Sequence, residues 1–559
     1  EAVATAAAAL RAGAIVAIKG IGGYHLACRA DDEQAVATLR GRKHRDDKPF
    51  ALMVDSLGEA AALVVLGDVE RSLLCGPQRP IVLAPRRGGA PVAASVAPGA
   101  LELGVMLAYS PLHHLLLEDL GAGALVMTSG NASDEPIAFG DDDALERLAG
   151  IADMLLVHDR PIQTRTDDSV ARVVAGRPLF VRRSRGYVPG SVALPEAASR
   201  PLLACGAELK NTFCVAKGSR AWVGHHIGDL SNYETLRSFT DGIEHFQRLF
   251  AVAPEVVAYD LHPEYLSTKY ALEREGVELV GVQHHHAHLA ACLAEHGCYE
   301  PAVGAIFDGS GYGTDSTVWG GELLVGDLGG FRRAGHLLPV RLPGGERAIR
   351  EPWRLACAWL DACGFEGAGV PVALRDKVQE RTWRQVAAIA RSGVASPITT
   401  SIGRLFDAVA ALCGLRATIN YEGQAAIELE SSCDPRERGS YSIELNDSDG
   451  MLVIDPRCAL LAIRSDVEAG TAVGVIAARF HAAIANVTVR ALAALASAND
   501  TDRVVLSGGV FQNRRLLEAA AAGLGAAGLR VLIPERLPIG DGGISYGQVA
   551  VAAHGMVGG

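Results

Sequence analysis

Residues 282–297 read VQHHHAHLAACLAEHG and place His284, His285, His286 and His288 within five positions. An apolar run, VELVGV, leads into them, and the residues after them have helical composition as far as Gly297, a C-terminal stop. Residues four apart share one face of a helix, so His284 and His288 can aim two neutral imidazoles at one point. A divalent transition metal accepts that spacing. Two imidazoles are half a site. The carboxylates that could complete it are Asp308, carried by AVGAIFDGSGYGTD from an apolar strand into a glycine-rich turn, and Asp541, held in PIGDGGISYGQ ahead of a helix. Two histidines with two aspartates suit iron or zinc and leave room for a ligand from outside the protein. Each residue also has a plainer reading, the histidines as solvated surface at a helix start and either aspartate as a helix cap.

Three glycine-bearing segments accompany these residues. DGSGYG supplies Gly309, Ser310 and Gly311, SGGVFQN supplies Gly508, Gly509 and Asn513, and CGAELKN supplies Gly206, Lys210 and Asn211. Glycine lets backbone N–H groups approach a phosphate closely, and a following helix N-terminus favours negative charge. Any one of these is an ordinary turn; together with the GDGG loop they predict a nucleotide cleft between two lobes. Nearer the N-terminus, GRKHRDDKPFALMV concentrates Lys43, Arg45 and Lys48, KGIGGYHLAC contributes Lys19, TSGNASDEP presents Ser129 and Asn131 in a turn, and FVRRSRGYVP adds Arg182, Arg183 and Arg185. Cations so spaced can neutralise a triphosphate and the pyrophosphate leaving it. The bland alternative is a solvated helix face.

The elements that must position these residues follow from alternating apolar and turn-forming stretches. Up to about residue 190, β-rich runs such as AIVAIKG, RPIVLAP, ALVMTSG and PLFVRRS alternate with helical ones such as DDEQAVATLRGRK, which predicts a mixed α/β unit. The Pro-punctuated stretch GYVPGSVALPEAASRP, 186–201, is the expected linker. After it come hairpins turning at Gly206 and Gly218, strands at about 256–260, 277–283 and 302–307, and a strand–helix–strand unit from RVVLSGG to LRVLIPE. Residues 346–480 are more helical and read as lobe insertions. The expected domains are therefore 1–192 and 200–559.

A chain of 559 residues exceeds one core, since domains run to roughly 100–200 residues. No run approaches the roughly 18 uncharged apolar residues that cross a bilayer, and the start, EAVATAAAALRAGAIVAIKG, reads as a helix leading into a strand and not as a leader. Eleven cysteines with no C-x-x-C pair indicate neither a disulfide framework nor a cysteine-type zinc site, and fit a reducing cytoplasm. The formal charge of -12 disfavours a sequence-independent nucleic-acid binder.

These motifs together resemble a known family. The first domain resembles the YrdC family, whose Lys-x-Arg segment and Ser-x-Asn turn bind ATP; the matching residues are Lys43, Arg45 and Lys48 with Ser129 and Asn131. The second is similar to the TsaD-type branch of the two-lobed ASKHA (actin/hsp70-like) fold, in which a His-x-x-x-His pair and a late Asp bind iron or zinc beside ATP. In this order, with HHHAH, FDGSGYG, NYEGQAA, LSGGVFQN and GDGGIS all present, the chain resembles the HypF carbamoyltransferases of nickel–iron hydrogenase maturation. Members of that family normally begin with an acylphosphatase domain and a zinc-finger-like domain. Neither is among these residues, and the missing initial Met reads as the edge of a longer protein.

The resemblance implies ATP, Mg2+ and one Fe or Zn ion as cofactors. It implies ATP contacts from Lys19, Lys43, Arg45, Lys48, Ser129, Asn131 and Arg182, and a metal-binding, catalytic set of His284, His288, Asp308 and Asp541. Carbamate released from carbamoyl phosphate would be joined to ATP as carbamoyl adenylate, and the carbamoyl group passed to the C-terminal cysteine of the acceptor protein HypE. No membrane or nucleic-acid partner is expected, and homodimerisation is left open. Two related chemistries stand beside this one: a TobZ-like small-molecule O-carbamoyltransferase, whose modules come in the opposite order, and a tRNA threonylcarbamoyl-adenosine enzyme, against which the acidic balance counts. Because the adenylate hydrolyses in water, its two pockets are expected to face each other across an enclosed space, with the connection near 190 docked.

Overall fold

The computed structural model describes residues 1–132, 135–365 and 369–557. The first part is built on a nine-stranded mixed sheet, ordered Met154–Leu156, Val16–Lys19, Tyr24–Arg29, Leu125–Ser129, Ala51–Val54, Glu102–Leu107, Ile81–Pro85, Val170–Val174, Arg177–Arg182. Helices cover both of its faces, so its central strands are largely apolar, with polar residues at strand ends and edges. Ala2–Arg11 and Pro111–Leu120 pack on one face, and Glu33–Lys43 and Leu57–Leu63 on the other.

Two local devices set the cationic residues. Helix Glu33–Lys43 starts at Asp32, whose carboxylate accepts the Ala35 N–H, and stops at His44 in the left-handed region, φ 52°. The loop that leaves its C-terminus is stitched from below by Arg40, which donates to the carbonyls of Arg45, Asp46 and Lys48 at 2.9, 3.2 and 3.1 Å. The hairpin joining Val170–Val174 to Arg177–Arg182 turns on Ala175 and Gly176, both at positive φ (49° and 76°), as a two-residue hairpin loop demands.

The second part holds two sheets. In the smaller one Val192–Ala204 pairs antiparallel with Cys214–Val223 and parallel with Val256–Asp260, and Glu278–Val282 adds in parallel. The larger runs Glu444–Ser448, Met451–Asp455, Phe331–Leu337, Val318–Gly326, Ala302–Tyr312, Arg503–Ser507, Arg530–Leu532, with Val340–Arg341 and Ile398–Thr399 branching from it. Helices His284–Glu295 and Ile544–Val557 share one apolar cluster with residues of both sheets. They touch at Gly547, where a Cβ would stand 2.0 Å from the Ala287 carbonyl oxygen.

Two expectations need correcting. The stretch 186–201 is a connection only up to its first few residues: from Val192 it is strand, with Val192, Leu194 and Ala198 turned inward. Pro195 falls in one gap of the ladder and Pro201 in another, at register shifts where a missing N–H costs no hydrogen bond. Residues 346–480 are largely helical, yet they supply Glu444–Ser448 and Met451–Asp455 to the larger sheet and so belong to the lobe itself. Helix Val473–Ala498 is long and apolar enough to cross a membrane by length and composition, although Arg479 and Arg490 leave it no run of 18 uncharged residues. Here it buries Phe480, Ile484, Val487 and Leu492 in the largest core.

The two parts dock on one another. Arg172 donates to the Gln512 carbonyl at 2.6 Å, Arg177 pairs with Glu535 at 2.6 Å, and the Ile539 N–H reaches the Phe180 carbonyl at 3.4 Å. Arg183 holds the connection itself, donating to the carbonyls of Tyr187 and Gly190 at 3.0 and 2.9 Å.

Candidate functional site

The smaller sheet ends in Val282, and Gln283 starts the next helix by accepting the His286 N–H at 2.9 Å. Four histidines therefore occupy the first turns of a helix that is buried on all sides. Two of them are structural. His286 Nε2–H donates to the Asp327 carbonyl at 2.8 Å, and His285 packs on Trp319 with ring centroids 5.7 Å apart.

His284 and His288 face the other way, toward Asp308 and Asp541. His288 Nε2 is 3.2 Å from Asp308 Oδ2 and 3.7 Å from Asp541 Oδ1; His284 Nε2 is 3.4 and 4.0 Å from the same atoms. All four donor atoms lie within 4.8 Å of one another and are buried. Donors about 2.0–2.2 Å from one cation stand roughly 3–4 Å apart, so these residues can share a metal ion. Their alignment is built in. Asp260 holds His284 Nδ1 at 2.8 Å, and Asp308 Oδ1 accepts the N–H groups of Gly309 and Gly509 at 2.8 and 3.3 Å. Gly311 is required: a Cβ there would sit 2.6 Å from His284 Cδ2.

The electrostatics of the site favour a cation. Burial opposes charge on His284, but the Asp260 and Asp308 carboxylates outweigh it and raise its pKa well above the usual value. Burial also opposes ionisation of Asp308, and hydrogen bonds from His284 and His288 overcome it and hold that carboxyl well below its range. Burial, then the charge of Asp308, pushes Asp541 up. Three carboxylates sharing one enclosed pocket stabilise positive charge in it.

The first part presents a second constellation. Lys43 Nζ donates to the Ser129 carbonyl at 2.7 Å and to Asn131 O and Oδ1 at 2.6 and 2.5 Å. That ammonium therefore gathers the turn, and Ser129 Oγ donates to the same Oδ1 at 2.7 Å. Burial, reinforced by Arg45, brings Lys43 down to about 7. Burial with Arg45 and Arg182 brings Lys48 down to about 8, and burial with Arg40 and Arg182 brings Arg45 down to about 10. Like charges crowded this way are relieved by a bound polyanion.

The two constellations lie near one another. Lys210 pairs with Glu422 at 2.6 Å. Asp47, from the loop between Arg45 and Lys48, accepts from Asn420 and Gln424 on either side of Glu422. Cations of both parts bear on His226: burial, then Arg182, Lys210 and Lys48, hold its imidazole well below the usual value.

Several expected contacts have other duties. Lys19 is buried in an ion pair with Asp141 at 2.7 Å and donates to the His158 carbonyl. Asn211 is enclosed and braces its own turn by donating to the carbonyls of Cys205 and Ala207 at 2.9 and 2.5 Å, while Gly206 pairs with Gln548. Gly309, Ser310 and Gly311 belong to a bulged strand that continues to Tyr312, not to an open phosphate loop. Gly508 and Gly509 enter a 3-10 turn; Asn513 caps the next helix by accepting the Leu516 N–H at 2.9 Å and donates to His481 Nε2 at 2.8 Å. His481 Nδ1 lies 3.4 Å from Cys433 Sγ, but burial pushes that thiol up to about 12 and the imidazole down to about 4, so this Cys–His–Asn trio has no thiolate to attack with. Lys210 is held in an ion pair with Glu422 at 2.6 Å, and Arg182 pairs with Asp167 at 2.9 Å.

Two residues were missed. Asp260 ends VVAYD much as Asp308 ends AVGAIFD, and that shared pattern of an aspartate closing a buried strand was its signal. Glu422, within NYEGQAA, gave none beyond the motif itself.

Fold and site together define a two-part α/β enzyme in which an anion-binding unit adjoins a buried centre able to hold a metal. The chain belongs to the HypF carbamoyltransferase family. Residues 197–295 match the HypF Kae1-like domain, 304–548 the carbamoyltransferase Kae1-like domain, second subdomain, and 8–184 the Sua5/YciO/YrdC model, described as telomere recombination. The chain is 42 % identical to carbamoyltransferase HypF2 of Cupriavidus necator over 98 % of its own length and 73 % of the relative's, and 41 % identical to carbamoyltransferase HypF of Synechocystis over 97 % and 71 %. Among solved structures, a full-length HypF in its phosphate- and nucleotide-bound form matches with a TM-score of 0.95 at 42 % identity, covering 100 % of this chain and 87 % of that one. HypF of T. kodakarensis matches with a TM-score of 0.92 at 33 % identity, covering 99 % and 73 %.

Proposed function

We propose that the chain forms carbamoyl adenylate in its first domain, residues 1–192, and delivers the carbamoyl group in its second, residues 200–559, to the C-terminal cysteine of HypE. In the first step a carbamate oxygen attacks the α-phosphorus of ATP, the bond to the β-phosphate oxygen breaks, and pyrophosphate leaves with its Mg2+. Lys43, Arg45, Lys48 and Arg182 orient the phosphates and stabilise the charge that develops on the leaving group. Ser129 and Asn131, gathered by Lys43, shape the pocket around the transferring group.

In the second step the acceptor thiolate attacks the carbamoyl carbon, a C–S bond forms, and the C–O bond to AMP breaks. His284, His288, Asp308 and Asp541 would hold one Fe or Zn ion, which supplies Lewis acidity and positive charge beside the transferring group. Asp260 fixes the His284 tautomer, and Lys210 offers an ammonium to the nucleotide phosphate. No cysteine of the chain is needed as a nucleophile, in keeping with the thiol pKa values that burial raises at Cys205, Cys292, Cys413 and Cys433.

The observation that supports this reading is the direct contact between the two constellations. Asp47, between Arg45 and Lys48 of the first domain, accepts from Asn420 and Gln424 of the second at 2.6 and 3.0 Å, and Glu422 between those two holds Lys210 at 2.6 Å, as two sites that hand on a labile intermediate require. The test is the mass of purified HypE after incubation with the chain, ATP and a carbamate source. The expected result is a gain of one carbamoyl group on the terminal cysteine, lost in His284→Ala. An unmodified acceptor alongside steady pyrophosphate release would overturn the assignment of HypE.

A further inference from the structure

Asp47 lies inside the cationic loop, between Arg45 and Lys48, but its carboxylate faces the other domain. Oδ2 accepts from Asn420 Nδ2 at 2.6 Å and from Gln424 Nε2 at 3.0 Å, and lies 3.2 Å from Arg416 Nη1. These partners belong to one short segment. Gln424 opens helix Gln424–Ser432, its Oε1 accepts the Asn420 N–H at 2.8 Å, and Gly423 stands at φ 75°, so the turn is closed on itself. From the same turn Glu422 reaches the opposite way and takes Lys210 Nζ at 2.6 Å. Lys210 sits on a second braced turn: its own N–H donates to Asp229 Oδ1 at 2.7 Å, and the N–H of Asn211 reaches the Gly228 carbonyl at 2.9 Å.

We propose that residues 416–424 form a coupling element, in which Asp47 is the positioning residue that registers occupancy of the cationic loop and Glu422 passes it to Lys210 beside the metal-ready centre. The inference rests on the two-site reading and goes beyond it by naming what keeps the two reactions in step. Arg40 braces the loop that carries Arg45 and Lys48 through three carbonyls, so Asp47 keeps a fixed place relative to those cations, and a polyanion that shifts them shifts Asp47. Asp47 cannot shift without altering its bonds to Asn420 and Gln424, and Glu422 lies between those two residues in the chain. Glu422 then loosens its hold on Lys210, whose ammonium becomes available to the phosphate of the arriving adenylate. Until that moment the carboxylate occupies the ammonium and keeps the second site from taking free nucleotide.

Hydrogen exchange tests the linkage without any chemistry. Inorganic pyrophosphate is the probe, because it has no adenine and addresses the first-domain cations. Added to the full chain, it should change the exchange rate of residues 416–424 by about threefold or more, and Asp47→Asn should abolish that change while leaving pyrophosphate affinity within about twofold, magnitudes typical of coupled contacts. No change in the parent chain, or an equal change in the variant, overturns the proposal. Stoichiometry supplies the second readout, as pyrophosphate released per acceptor carbamoylated. Asp47→Asn and Glu422→Gln should each raise this ratio by about fivefold, and the double variant should raise it no further than the stronger single, as residues on one relay do. Multiplying effects would show two independent residues and overturn the relay. If the acceptor gains no mass while the exchange response persists and depends on Asp47, the two-site chemistry falls and the coupling element stands. Thermal midpoints of the variants, expected to match the parent, separate loss of coupling from loss of fold.

Discussion

Asp260 Oδ2 lies 2.8 Å from His284 Nδ1, with both side chains fully enclosed. With a cation bound between Asp308 and Asp541, the carboxylate would fix the proton on Nδ1, leave the Nε2 lone pair for that cation and raise its basicity. Asp260→Asn should lower metal affinity by about 10–100-fold, the usual effect of losing such a partner. Chelator competition on the folded variant, with circular dichroism as control, measures it. Unchanged affinity would mean that packing alone orients the ring.

The lysines of the cationic loop set a pH dependence. Burial, reinforced by Arg45, brings Lys43 to about 7 and Lys48 to about 8, against 10.5 for an ordinary lysine. Between pH 7 and 10 the unfolded chain therefore binds more protons than the folded one, so the unliganded protein gains stability as pH rises through that window. Affinity for pyrophosphate moves oppositely, falling as the ammonium groups discharge. Calorimetry at pH 8 in buffers of different ionisation enthalpy should show proton uptake on pyrophosphate binding, and less of it in Lys48→Met. Binding with no proton uptake would contradict these assignments.

Much of the site was legible because its logic is local. His284 and His288 meet on a helix face through their spacing alone, and Asp308 and Asp541 each close an apolar run beside glycines. The use of side chains by distant partners escaped. Lys19 carries a charge suited to ATP, yet Asp141 holds it in the fold, across a separation of 122 residues that no spacing rule reaches. Asn211 and Asn513 look like nucleotide contacts and serve as brace and cap. The α/β alternation gave the sheets, while Pro195 and Pro201 disguised Val192–Ala204 as linker, since the bulges that accommodate proline exist only once the partner strand is present.

Two glycines separate stability from function. Gly547→Ala would press a Cβ to 2.0 Å from the Ala287 carbonyl oxygen, between two core helices with nowhere to yield. It should destabilise by about 1–3 kcal/mol, as overpacking does. At Gly41, an exposed helical position, nothing lies within 4 Å of where an alanine methyl group would stand, so Gly41→Ala should stabilise by roughly 0.5–1 kcal/mol. Thermal denaturation of the pair decides, and a reversed order would contradict this packing.

Gly311→Ala acts on the site more than on the core. Its Cβ would meet His284 Cδ2 and His285 Cε1, each at 2.6 Å, and displace the ring that Asp260 holds. Metal stoichiometry should fall well below one per chain at a temperature where the variant remains folded. Full metal content would mean that the strand gives way before the imidazole does.

The central claim is that His284, His288, Asp308 and Asp541 converge on one cation. X-ray absorption at the metal edge of iron- or zinc-loaded protein tests it most directly. The expected spectrum has one ion per chain, two imidazole nitrogens and carboxylate oxygens at about 2.0–2.2 Å, and no sulfur, with the nitrogen signal halved in His288→Ala. A sulfur shell near 2.3 Å, or a spectrum indifferent to His288, would contradict it.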